Sequence, residues 1–190
     1  MDQNADHPLY VPDSWTSGRI WARTACDFSK PDVQSCETGS CLGGLECTQP
    51  GIPPVTLAEF TLAQNGQDNY DVSNVDGSSI PVSISGSGSS GACPDAGCYV
   101  DLNPNCPADL RLTNANGVTV GCKSACLAHG GDNNCCTGPN DTRDTCPTSG
   151  VADYDYFHGN CPKAYAYAYD DSIALFQCTG NPNYQVTFCP

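Results

Sequence analysis

Fifteen cysteines in a chain of 190 residues constrain this protein more than any other feature. Cys26, Cys36, Cys41, Cys47, Cys93, Cys98, Cys106, Cys122, Cys126, Cys135, Cys136, Cys146, Cys161, Cys178 and Cys189 approach the density of a scaffold stapled by disulfides. Such scaffolds form where the surroundings are oxidising, so a secreted, extracellular protein is expected. A zinc site would need cysteine pairs at short regular spacing with histidines in reach, and His7, His129 and His158 are scattered. No metal and no cofactor is expected. The count is odd, so one thiol stays free, pairs with another molecule or has lost its partner.

Met1 is followed by Asp-Gln-Asn-Ala-Asp rather than by a basic start and an apolar run, so no signal peptide is read here. The expectation is that a signal was removed or that the front of the protein is missing. The net charge of −14, from 21 acids against 7 bases, repels nucleic acid and opposes adsorption to anionic bilayers. No run of about 18 apolar residues exists, which excludes a spanning helix. A soluble monomer with neutral or basic partners is expected.

Period-two alternation marks half-buried strands. In Thr56 to Leu62, Ala58, Phe60 and Leu62 share one face, and Glu59 points away from them with Leu57 and Thr61. In Gly18 to Arg23, Arg19, Trp21 and Arg23 lie opposite Ile20 and Ala22; Trp21 is expected between sheets. Tyr70 to Val75 and Ile80 to Ile84 read as a hairpin turning at Asp76-Gly77. The odd spacing of Asp71 and Asp76 would put them on opposite faces of a straight strand, so only a bend lets both face one site. Ser85 to Gly91 reads as a flexible loop, and Asn183 to Cys189 as a last strand with Tyr184, Val186 and Phe188 on one side. Between Cys98 and Cys161 cysteines crowd among Asn, Gly, Pro and Thr, and Ser124 to Gly130 is the one helix-like piece.

Several of these segments, in order, resemble the thaumatin-like proteins. They are Gly18-Arg19-Ile20-Trp21-Ala22-Arg23-Thr24, Cys36-Glu37-Thr38-Gly39-Ser40-Cys41, Pro53-Pro54-Val55-Thr56-Leu57-Ala58-Glu59-Phe60, Val75-Asp76-Gly77 with Ile80-Pro81, and Cys135-Cys136-Thr137. Cys161-Pro162-Lys163-Ala164-Tyr165, Asp170-Asp171 and the terminal Phe188-Cys189-Pro190 continue the match. The resemblance implies a mainly β fold, a flattened antiparallel β-sandwich beside a disulfide-rich lobe, with an acidic cleft between them. Residues 1–23, 53–99 and 162–190 would form the sandwich, 24–52 a small bridged loop region and 100–161 the lobe. It also implies the bridges Cys26–Cys36, Cys41–Cys47, Cys93–Cys178, Cys98–Cys161, Cys106–Cys122, Cys126–Cys135 and Cys136–Cys146. Cys189 is left unpaired, because its usual partner lies in a front segment of about 35 residues, two strands long, that is expected to be absent. Ser40 departs from the family pattern, which has Asp there. Pro12-Asp13-Ser14-Trp15 leans towards fungal members.

The family's cleft residues match Arg19, Glu59, Asp71, Asp76 and Asp170. By resemblance Glu59 is the general acid and Asp76 its partner carboxylate, while Arg19, Asp71 and Asp170 shape the field and bind sugar hydroxyls. Two carboxyls in different states of protonation are what glycoside hydrolysis uses. Taken alone the residues fit acids paired with Arg19 for structural reasons better than catalysis, and only the resemblance brings the two readings level. Asp171 is a second candidate for the place of Asp170, which could be only a turn residue. Tyr165, Tyr167 and Tyr169 repeat at period two, a row that is core more often than a platform for sugar rings. The expected partner is β-1,3-glucan or another wall polysaccharide, bound or cleaved in wall remodelling or antifungal defence. The alternatives are binding without turnover and membrane-active defence. Asn140-Asp141-Thr142 is a sequon expected in exposed polar chain, and Cys189 is expected to be an inert, buried strand thiol.

Overall fold

Alternating apolar and polar residues make antiparallel partners of β2 (Leu57–Gln64) and β3 (Gln67–Ser73), and β1 (Gly18–Ile20) and β8 (Phe176–Cys178) complete a sheet in the order β1-β2-β3-β8. The computed structural model describes residues 5–64, 66–87 and 93–190. A second sheet has the order β5-β4-β9, from β4 (Val82–Ser87), β5 (Ala96–Cys98) and β9 (Asn183–Phe188). The inner faces meet in one core: Ala58, Phe60, Tyr70 and Val72 from the first sheet, Val82, Ile84 and Ala96 from the second, none more than 5% exposed. Tyr184, Val186 and Phe188 pack on it from β9, as their alternation predicts. Burying a large apolar side chain stabilises by about 1.5–3 kcal/mol, so this layer holds the sandwich together.

The cysteine-rich stretch is built differently. β6 (Arg111–Thr113) and β7 (Thr119–Cys122) form a small ribbon, followed by the short helices α1 (Ala125–His129), α2 (Asp132–Cys135) and α3 (Tyr154–Asn160). Ser124 caps α1 by accepting from Leu127 N, which matches the expected helical piece. It is not the only one, since α3 also forms; its Phe157 is 2% exposed and packs into the main core. The seven disulfides are those the resemblance implies. Cys93–Cys178, which spans 85 residues, constrains the unfolded chain by about 4–5 kcal/mol in the loop-entropy account.

Four further sequence expectations need correction. Asp76-Gly77 does turn, with Gly77 N–H donating to Asn74 O and a φ of +87° at Gly77, but β3 and β4 belong to different sheets. A Cβ on Gly77 would meet Cys122 O and Pro54 Cβ, each at 2.7 Å, so the turn is a crossover pressed against β7. Trp21 packs on Gly39 and Gly51 and donates from Nε1 to Gly39 O, outside the inter-sheet core. β4 runs through Ser85 to Ser87, where a loop was expected; the rest of that stretch to Gly91 lies outside the described residues. Cys189 is free but exposed, just beyond the end of β9, so burial does not make it inert. The sequon lies in exposed polar chain as expected, with Asp141 and Thr142 exposed and Asn140 half-buried, its side-chain amide donating to Thr145 O.

Ser40 is explained by its surroundings. It is 3% exposed, and its hydroxyl accepts from Cys36 N and donates to Cys36 O. An ionised Asp could accept but not donate there.

Candidate functional site

The register of three strands places Arg19 opposite Glu59, and Glu59 opposite Asp71. Their neighbours Ile20, Ala58 and Val72 face the core, so period two turns the three ionisable side chains to the outer face in one cross-strand row. Arg19 Nε donates to Glu59 Oε1 at 2.7 Å, with the side chains 40% and 26% exposed. A hollow of about 480 Å3 opens over this row, lined by Arg19, Glu59, Asp71, Asn69, Pro50 and Leu175 among others. That volume falls within the usual range for small-ligand sites.

Asp71 is the most perturbed carboxyl of the group. Its Oδ1 is buried and has no hydrogen-bond partner among the described residues. Burial, then the charges of Glu59 and Asp171, push its carboxyl up to about 8, against a smaller downward pull from Arg19. Asp171 reaches this neighbourhood because the 164–171 segment docks on the end of β3: Tyr165 N–H donates to Val72 O and Asn74 N–H to Tyr165 O. Tyr165 then donates its hydroxyl to Asp171 Oδ1 at 3.1 Å. Burial, with the charges of Asp71 and Asp171, pushes the Tyr165 phenol up.

Arg19, Glu59 and Asp71 thus come together in the wall of one hollow. Asp76 lines a separate hollow of about 320 Å3, walled by Pro53, Ser124, Leu127 and Tyr167. Asp170 is 3% exposed and accepts from Ala166 N, Tyr167 N and Tyr154 Oη. Its oxygens organise the turn before α4 (Asp171–Ala174), the turn role that the sequence left open for it, and of the two acids Asp171 is the one whose charge acts on Asp71. Tyr165 and Tyr167 are 9% and 6% exposed, and the alanines that alternate with them, Ala164 and Ala166, are also buried, so the tyrosines are packing residues. Arg23 bonds Gly44 O and Leu45 O and lies 5.0 Å over the Phe28 ring, well outside the row.

The sequence reading missed Asn69, Pro50 and Leu175. Asn69 stands two residues before Asp71 on the same strand and so shares its face, a signal that period two carries. Pro50 and Leu175 come from loops, and no local pattern announces them. Separately, the fold brings His129 Nε2 within 3.4 Å of Asp109 Oδ2 and 4.0 Å of Asp153 Oδ2, a trio able to offer ligand atoms to a cation. Asp109 and His129 are exposed, and the contacts are equally those of an ion pair.

The profile of the Thaumatin family matches residues 1–190. The chain is similar to Pathogenesis-related protein 5 of Arabidopsis thaliana, 50% identical over 192 residues that cover 100% of this chain and 77% of that protein. It is similar to Thaumatin-like protein 1b of Malus domestica, 46% identical over 193 residues covering 100% and 90% of the two. A protein of Prunus avium named Glucan endo-1,3-beta-glucosidase is 44% identical over 193 residues, covering 100% and 78%. All three organisms are plants, so the fungal leaning draws no support from them.

Proposed function

The chain belongs to the Thaumatin family, and from that premise we propose that it acts outside the cell in defence by binding a neutral wall polysaccharide, β-1,3-glucan, over the Arg19–Glu59–Asp71 row. The observation that carries this reading is the row itself: three ionisable side chains on the outer face of a rigid sheet, in the wall of one open hollow. Sites on strands are held more closely than sites on loops. Carboxylates accept from sugar hydroxyls and Arg19 donates to sugar oxygens. An acidic chain of −14 repels anionic polymers and leaves neutral ones. The seven disulfides suit the extracellular setting. No helix among the described residues is long and apolar enough to cross a membrane.

Hydrolysis of the same polymer is the second reading, supported by the name of the Prunus avium relative. It would use Glu59 with Asp76 across the two hollows, or Glu59 with its cross-strand neighbour Asp71. Binding is the better supported, because it needs only the row. Retention on insoluble β-1,3-glucan, with release of reducing ends followed in the same tube, tests both. Glu59→Gln should weaken retention about tenfold, equivalent to about 1.4 kcal/mol. Retention undiminished in that variant refutes the site.

A further inference from the structure

The outer-face row treats its two carboxyls unequally. Glu59 Oε1 is taken by Arg19 at 2.7 Å, and the pair is partly open to water. Asp71 stands one strand further from the guanidinium, with Oδ1 buried and unbonded among the described residues. The charges that act on it come from every side: Glu59 on β2, Asp171 at the start of α4, and Arg19 on β1 as the single cation. The Tyr165 hydroxyl, a donor that would have stabilised its ionised form, is given to Asp171.

We propose that Asp71 is the protonated carboxyl of this site and donates a hydrogen bond to an oxygen of the bound saccharide beside the Arg19–Glu59 pair. The inference rests on the glucan-binding reading and gives Asp71 the proton that the family resemblance gives Glu59. The chemistry follows from the donor inventory: an ionised carboxylate only accepts, whereas a neutral one can also donate. Sugar hydroxyls satisfy Glu59, but ring and bridging oxygens carry no hydrogen and need a donor. Asp71 supplies it without adding a second cation, which would invite anionic sugars. A buried oxygen with no donor opposite it is a poor place for negative charge, and two carboxylates on facing strand positions oppose ionising together. The upward shift of Asp71 agrees with this geometry.

Carboxyl-carbon NMR of the full chain tests the proton directly, with the Asp71 signal assigned by its loss in Asp71→Asn or, if that variant does not fold, by through-bond correlation from the backbone. The Asp71 midpoint should fall within about one unit of 8. Glu59→Gln should lower it, because a negative neighbour disappears and Arg19 is released. A midpoint below about 5, or no response to Glu59→Gln, overturns the proposal. Retention of wild-type chain on insoluble β-1,3-glucan should fall roughly tenfold between about pH 7 and about pH 9 as the donor is lost. A flat profile overturns the donor role. No retention at any pH refutes the glucan reading instead, and the NMR midpoint then decides the proton alone.

Discussion

The two faces of β1, β2 and β3 are made by alternate residues of the same strands, yet they obey opposite rules. Inward, Ile20, Ala58, Phe60, Tyr70 and Val72 close against the second sheet. Outward, Arg19, Glu59 and Asp71 leave a hollow open. The inner face has one answer, tight packing, and stabilises the fold. The outer face keeps a carboxyl under-bonded, which costs stability and is the arrangement that the proposed ligand site uses. The contrast teaches that the site is rigid because the core behind it is.

The largest expected effect breaks the inner face. Tyr70 is fully buried, donates to Pro94 O and touches the rings of Phe60, Phe176 and Tyr184. Tyr70→Ala should cost about 3–5 kcal/mol and lower the melting midpoint by roughly 6–20 °C, measured with the disulfides intact. An unchanged midpoint would mean that the bridges, not the core, hold the sandwich.

A smaller effect of the opposite sign sharpens the outer face. The folded-state pKa of Asp71 lies above its unfolded value of about 3.8, so the folded chain holds this proton more tightly. Between about pH 4 and about pH 8 the unfolded state therefore binds fewer protons, and this group's contribution to stability falls as pH rises. Asp71→Asn removes the loss, so it should be more stable than the parent at pH 8, by on the order of a few kcal/mol, and nearly level with it at pH 4. Urea titrations at the two pH values check this, and a variant less stable at pH 8 would show that the Asp71 charge is compensated.

Much of this contrast is legible in the order of the residues alone. The alternation in 56–62 and 183–189 separates Ala58 and Phe60 from Glu59, and places Tyr184, Val186 and Phe188 on one side. The disulfide pairs follow from resemblance, since spacing alone leaves many connectivities open. The row is not legible, because register is a long-range property. Arg19 and Glu59 are 40 residues apart, and nothing local says they face each other. The Asp76-Gly77 turn misleads for a related reason: the dipeptide encodes the bend, while the sheet that the next strand joins depends on Pro54 and Cys122 beneath Gly77. The sequence leaves Asp170 and Asp171 as alternatives because the three donors that hold Asp170 come from a distant helix and from a loop whose shape no local pattern specifies. Cys189 reads as buried when it is counted as a strand residue, whereas β9 ends at Phe188 and leaves the thiol exposed.

Residue-resolved NMR during titration with a soluble β-1,3-glucan tests the central claim most directly. The account predicts that the largest amide shifts cluster at Arg19, Glu59, Asn69 and Asp71, with Ile20, Phe60 and Val72 moving less. Shifts confined to the 100–161 stretch, or none at a saturating concentration, would contradict it.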